Sequence, residues 1–324
     1  MFFFGHQNPK QNSLKKFFDY LTFEKKLSSN TIVAYRNDLE TCFSFCQTEF
    51  EINDLAEAEY SMIRKWIVKL SNDGLSELSI NRKASALKSY YKFLIRIGDL
   101  KVSPMQAHKK LKTQKKLLVP FTEEEVNRVI NEAFDDTFEG QRDSLMIETF
   151  YSTGIRRAEL IKLKVSDVYF SKKLIKVQGK RNKDRLIPML PGLMKKIQSY
   201  LEYRKKVVTD PSQNELFVTS KGKRMNPTLV YRRIRAYFSV ASTKVRKSPH
   251  ILRHTFATHL LNKGADINTI KEILGHLSLA STQEYAKVRL PKIVKDYQEA
   301  HPREQLHKET SSSPKNNKTK HNWY

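Results

Sequence analysis

The sequence predicts a mainly α-helical protein in two parts: an N-terminal bundle of four helices, then a mixed, mostly helical domain with a small antiparallel sheet. Three observations carry this. Apolar residues step by three and four through residues 13–97. Helix-start signals and the same periodicity return after residue 121. One pair of strand-like runs, residues 174–178 and 185–189, flanks the turn sequence Gly-Lys-Arg-Asn-Lys-Asp, which is the pattern of a hairpin.

The first helical segment, residues 13–27, turns Phe17, Phe18 and Leu21 inward. Ser28-Ser29-Asn30 supplies N-cap chemistry for a second helix whose Ile32, Tyr35, Leu39, Cys42 and Cys46 share a face. A third carries Ile63, Trp66, Ile67 and Leu70 and stops before Asn72-Asp73-Gly74. A fourth, over 76–97, carries Ile80, Leu87, Tyr90, Tyr91 and Leu94 and ends at Gly98. Tight connections between short helices make one bundle. Cys42 and Cys46 are the only cysteines, and they read as small core residues because no second pair exists to complete a zinc site.

Residues 108–116 hold five lysines in nine positions with no apolar face, the composition of an exposed linker. The expected boundaries are therefore a helical domain at 1–107, a basic linker at 108–120, a second domain at 121–302 and a polar, disordered tail at 303–324. In the second domain Thr122 and Glu125 form a capping box that starts a helix. Further helices are expected at 142–152, broken by Gly154, at 156–163, and from Pro191 to about 208. A short strand at 216–218 precedes a basic helix at 226–241 with Arg232, Arg233 and Arg235. Gly154 and Gly275 both suit helix ends. A last short helix spans 291–300, and its apolar Ile293, Val294 and Tyr297 suit docking on a neighbouring copy or packing on their own domain.

Lys plus Arg number 59 against 34 Asp plus Glu, a net charge of +25 on 324 residues. That excess suits a polyanion partner, with salt-sensitive binding through counterion release. Arg82, Lys83, Lys88 and Lys92 on the fourth helix, with Arg181, Arg232 and Arg233, are the candidate phosphate contacts; a solvated face is the alternative. No apolar run approaches the roughly 20 residues that span a bilayer. Met1–Gly5 lacks the basic start and apolar length of a signal peptide, so no membrane partner and a cytoplasmic location are expected. No P-loop or GxGxxG cradles a nucleotide.

The densest chemistry lies in residues 248–290. His250 stands three before Arg253, His276 follows in Leu274-Gly275-His276, and Tyr285 comes nine later. His250, His254 and His259 lack the glutamate or cysteines of a zinc motif, so no metal is assigned to them.

Together with Thr153-Gly154-Ile155-Arg156-Arg157-Ala158-Glu159-Leu160 and Gly179-Lys180, these motifs resemble the tyrosine recombinases of the phage-integrase superfamily, and within it the Xer chromosome-dimer resolvases. The resemblance runs from the first helix to about residue 302. It implies a SAM-like core-binding bundle and a catalytic domain that cleaves and rejoins DNA through a 3′-phosphotyrosyl intermediate and a Holliday junction, with no cofactor, metal or ATP. Tyr285 is then the nucleophile. Arg156 and Arg253 clamp the phosphate oxygens, a task suited to a permanently charged fork. His250 serves as base or hydrogen-bond partner, His276 bonds the phosphate, and Lys180 protonates the leaving oxygen. Glu159 orients the cluster. Arg181 stands where many relatives have glycine, which leaves Lys183 as the alternative acid. The implied partners are a double-stranded DNA recombination site, a homo- or hetero-tetramer of recombinase protomers and a septal DNA translocase. The alternatives are an integrase of a mobile element with the same chemistry, and an inactive relative that only binds DNA.

Overall fold

The computed structural model describes residues 12–113, 118–179, 184–275 and 283–303; the side chains of residues 12 and 283–289 lie outside that description. The chain divides into two compact units, Met1–Lys116 and Leu117–Tyr324.

The first unit contains α1 (Asn12–Asp19), α2 (Ser29–Phe50), α3 (Tyr60–Asn72) and α4 (Glu77–Arg96). The inward faces are those the periodicity picks out. Leu39, Cys42 and Cys46 of α2, Ile63, Trp66, Ile67 and Leu70 of α3, and Ile80, Leu87, Tyr90, Tyr91 and Leu94 of α4 are all buried in one core. Ser28 and Ser76 cap α2 and α4 by accepting the amides of Thr31 and Ser79. The two tyrosines keep their hydroxyls satisfied inside that core: Tyr90 pairs with Ser13 at 2.7 Å, and Tyr91 donates to the Leu55 carbonyl at 2.9 Å.

The first helix differs from the expected single run over 13–27. It is α-helical only to Asp19, then widens into a π-turn at Tyr20–Glu24, closed by Lys25 N–H donating to the Tyr20 carbonyl. The Thr22 hydroxyl donates to the Phe18 carbonyl at 2.7 Å, a local side-chain bond that competes for the helix ladder.

The second unit is built around α6 (Phe138–Thr153), whose residues are buried along most of its length. It packs against α8 (Pro191–Val207) and α10 (Pro249–Asn262). The other helices are α5 (Glu123–Glu132), α7 (Arg157–Lys162), α9 (Pro227–Ala241), α11 (Ile267–Leu274) and α12 (Gln283–Ala300). The expected capping box is present in α5: Thr122 accepts the Glu125 amide and Glu125 accepts that of Thr122. The sheet is antiparallel in the order β1 (Val168–Tyr169), β2 (Leu174–Gln178), β3 (Asp184–Pro188), with Leu174 opposite Pro188 and Gln178 opposite Asp184.

Two expectations are corrected here, and one strand, β1, was not anticipated. Strand β1 carries no alternation to announce it in two residues. The strand expected at 216–218 is instead a buried segment with isolated bridges, Lys164 to Glu215 and Val218 to Arg224. Its backbone is satisfied by the loop carbonyl of Leu163 and the hydroxyl of Tyr200, so no partner strand forms. The last helix does not begin at Pro291: α12 starts at Gln283 and carries Pro291 inside it, where the ring removes one ladder hydrogen bond. Tyr297 and Ala300 bury that helix in the core of its own unit. The expected disordered tail lies, apart from Arg303, outside the described residues.

Candidate functional site

Gly154 ends α6 with φ 58°, and a Cβ there would lie 2.4 Å from Phe256 Cδ1 and 2.8 Å from Leu274 Cδ2. Only glycine fits both the left-handed turn and the packing. The chain turns through buried Ile155 and enters α7 with Arg156 as its N-cap. Glu159 in the first turn reaches back, accepting the Arg156 amide and guanidinium at 2.8 Å each.

The same carboxylate receives a second arginine. Arg185 of β3 donates through Nη2 to Oε2 at 2.8 Å and through Nη1 to Oε1 at 3.2 Å. Glu159 thus holds four donors on two oxygens. Burial alone raises its pKa, but the Arg185 fork and the Arg156 bonds outweigh it and hold the carboxyl below the usual range.

Arg253, one turn into α10, binds backbone. Nη1 donates to the Gly154 carbonyl at 2.6 Å and Nη2 to the Leu274 carbonyl at 2.7 Å. These carbonyls lie at the C-terminal ends of α6 and α11, where orphan acceptors and the helix dipole favour a cation. Burial, then Arg156, lower Arg253 to about 10, with Arg185 adding to the effect, so it stays charged at neutral pH. Two guanidiniums therefore bind one carboxylate with the third, that of Arg253, beside them, and Arg156 keeps 28% of its side chain exposed. Such a cluster retains excess positive charge after its internal pairing, which suits an anion.

Of the residues singled out in the sequence, Arg156, Glu159 and Arg253 come together. His250 is exposed on the first turn of α10, three residues before Arg253 and hence on the same side of the helix. Tyr285 lies in the first turn of α12, with its side chain outside the described residues. Lys180, Arg181, Lys183 and His276 lie outside the described residues altogether. Arg185 was missed. Its signal was strand alternation: it shares a face with buried Ile187, and a charge on a buried face needs a partner.

The candidate phosphate contacts divide. Arg82 and Lys83 both bind Asp38, a buried carboxylate of α2, Lys88 donates to the His108 carbonyl at 2.8 Å, and Arg233 lies 3.3 Å from buried Asp143. Lys92 and Arg232 are exposed. Cys42 and Cys46 are free and buried; their mutual hydrogen bond and burial push the Cys42 thiol up. Among the described residues no group of three or more His, Cys, Asp or Glu is placed to hold a metal. His259 is structural: Nε2–H donates to the Phe121 carbonyl and Nδ1 accepts from Tyr151, both at 2.9 Å.

The end of α12 packs on its own unit. Tyr297 is fully buried and donates to the Ser152 carbonyl at 2.5 Å. His301, also fully buried, donates to the Tyr151 carbonyl and accepts the Arg303 amide, while Arg303 forks onto buried Glu148 at 3.1 and 3.3 Å. Among the described residues no helix is long and apolar enough to cross a membrane.

Comparison with known proteins fits this arrangement. The family model described as phage integrase family matches residues 119–290, and that of the phage integrase N-terminal SAM-like domain matches 14–98. The tyrosine recombinase XerC of Thermodesulfovibrio yellowstonii is 34% identical over 295 residues, covering 89% of this chain and 96% of the relative. That of Oceanobacillus iheyensis is 34% identical over 290 residues, covering 89% and 95%. Among solved structures, the Tn1549 transposon integrase in complex with transposon right end DNA aligns with TM-score 0.66 at 19% identity, covering 86% of this chain and 98% of that one. The XerH site-specific recombinase bound to difH substrate aligns with TM-score 0.62 at 19% identity, covering 88% and 96%. At that identity the likeness is one of fold.

Proposed function

The chain belongs to the phage integrase family as a tyrosine site-specific recombinase, and from that premise we propose how its residues divide the reaction. The substrate is a double-stranded DNA site. Arg156 and Arg253 bind the non-bridging oxygens of the scissile phosphate. Tyr285 attacks phosphorus, forming a Tyr–phosphorus bond to the 3′ side while the bond to the 5′-oxygen breaks. A phenol of pKa about 10 is protonated at neutral pH, so attack requires loss of its proton, which His250 accepts or steers to solvent. Lys180 delivers a proton to the departing 5′-oxygen, and His276 donates to the phosphate. The intermediate keeps the energy of the broken bond, so rejoining requires only attack by a 5′-hydroxyl. Residues 1–107 form the core-binding domain and 121–302 the catalytic domain.

One observation carries the reading: Arg156 and Arg185 bind a single carboxylate, and Arg253, held by the Gly154 and Leu274 carbonyls, stands near enough to Arg156 for its proton affinity to be depressed. A pentacoordinate phosphorus gathers more negative charge than the ground state, and preformed cations favour it selectively. Exchange between two sites takes four protomers, two per duplex. The XerC names of the relatives support resolution of chromosome dimers in the cytoplasm, on the nucleoid, with a second recombinase and a septal translocase as candidate partners.

The test is a duplex carrying the footprinted target site with a nick beside the scissile phosphate, so that the cleaved flank diffuses away. The unchanged protein is expected to accumulate a covalent adduct without metal or ATP. Tyr285→Phe is expected to bind the duplex and form none; adduct formation by that variant would move the nucleophile elsewhere.

A further inference from the structure

Strand β3 is fastened through one side chain to two segments that border the arginine cluster. Arg185 forks onto both oxygens of Glu159, and its Nε donates to the Ile273 carbonyl at 2.6 Å. Gly275, at φ 68°, lies against the same guanidinium: a Cβ there would sit 3.3 Å from Nη1 and 3.5 Å from Cζ. All three nitrogens of Arg185 are engaged inside the protein, and the side chain is 12% exposed.

The strand pairing does not require this. β2 and β3 already pair from Leu174–Pro188 to Gln178–Asp184. A buried ion pair is also a weak source of stability, because desolvation offsets much of its attraction. What three directed bonds from a rigid fork do supply is register. β2 and β3 bracket the chain segment that contains Lys180. Ile273 and Gly275 close α11 immediately before His276 in the chain. Glu159 holds Arg156. One guanidinium therefore ties the roots of segments that carry three residues of the proposed reaction, Lys180, His276 and Arg156.

We infer that Arg185 is a positioning residue for strand cleavage: it sets the β2–β3 hairpin, and with it the lysine that protonates the leaving oxygen, against Arg156 and the end of α11. The inference rests on the recombinase reading given above. Lysine cannot replace it fully, since a single ammonium cannot span both Glu159 oxygens and the Ile273 carbonyl together.

The experiment compares two nicked duplexes carrying the footprinted site, one with the ordinary 5′-oxygen at the scissile phosphate and one with a bridging sulfur. A thiolate departs without being protonated, so only the first substrate depends on the lysine. Arg185→Ala is expected to slow adduct formation by about 100-fold or more on the oxygen substrate, the lower end of what general acid catalysis contributes. On the sulfur substrate its rate is expected to return close to that of the unchanged protein. Arg185→Lys, which keeps the charge and guards against misfolding of the alanine variant, is expected to show a smaller loss with the same return. Equal losses on both substrates by a variant that melts cooperatively would make Arg185 merely structural and overturn the inference. Lys180→Ala serves as the reference: failure of sulfur to restore it removes the lysine's role and the inference with it. No adduct from the unchanged protein on either duplex would instead mean that the recombinase reading itself has failed.

Discussion

Glu148 and Glu159 are two buried glutamates of the same unit, each gripped by cations, yet one is a latch and the other belongs to a site. Glu148 is 2% exposed and meets Arg303, Lys196 and Ser152 at the seam between α6 and the chain after α12. Burial raises its pKa, but Arg303, then Lys196, hold it below the usual range. Arg303 is closed in with it at 12% exposed, while its second cation, Lys196, keeps 29% of its side chain exposed. Glu159 also binds two cations, Arg156 and Arg185, but a third guanidinium, that of Arg253, stands beside them and donates to the Gly154 and Leu274 carbonyls. The difference lies in what remains after pairing. Two cations on Glu148 join α6, α8 and the chain after α12, whereas three guanidiniums about Glu159 leave a larger positive excess, which suits an external anion.

The largest effect that would break this contrast is on stability at the latch. Glu148→Gln leaves Arg303 and Lys196 without a carboxylate and is expected to lower unfolding free energy by roughly 3–5 kcal/mol, the usual cost of removing one partner of a buried pair. Urea denaturation measures that, and the rate of adduct formation by the folded fraction should be unchanged. At the site the expectation reverses. Arg156→Ala is expected to slow cleavage by about 10²–10³-fold, corresponding to about 2.7–4 kcal/mol, while DNA binding measured by fluorescence anisotropy changes little. Equal losses in binding and cleavage would reduce Arg156 to an anchor.

The latch should also be the pH-sensitive half. His301, fully buried under Tyr151 and Tyr297, is lowered to about 4 by burial. Its ordinary value is 6.5. The unfolded chain therefore binds a proton in that window that the folded chain refuses. Stability is fully present above pH 6.5 and declines toward pH 4, by about 1.4 kcal/mol per pH unit from this group and about 3 kcal/mol in all. His301→Gln is expected to flatten the stability profile by one proton's slope; an unaltered slope in urea titrations from pH 4 to 7 would contradict it. The smallest effect tests the joint between the two regions. Gly154→Ala, strained at φ 58° and overlapping Phe256, is expected to cost about 1–3 kcal/mol and to lower the melting temperature.

Much of this was legible in advance. The apolar faces of α2, α3 and α4, the caps at Ser28, Ser76 and Thr122 and the stop at Gly154 all follow from residues a few positions apart. The motif residues Arg156, Glu159 and Arg253 were legible as a set because their types and order carry the family resemblance. Arg185 was not, since a lone strand arginine announces nothing until its partner is known. Nor was the docking of Tyr297 and His301 on α6, because an apolar helix face reads the same whether it covers its own domain or a neighbour.

Local order in this chain is written in neighbours: a period of three or four residues, a hydroxyl before a helix, a glycine after one. Pairing of charge is not. Arg253 finds the Gly154 carbonyl 99 residues away, and Arg303 finds Glu148 across 155. With 59 basic side chains in the chain, residue type alone cannot say which cation is spent on an internal acceptor and which remains for DNA. Folding makes that choice, because burial makes an unpaired charge too costly to keep and exposure lets one stand free.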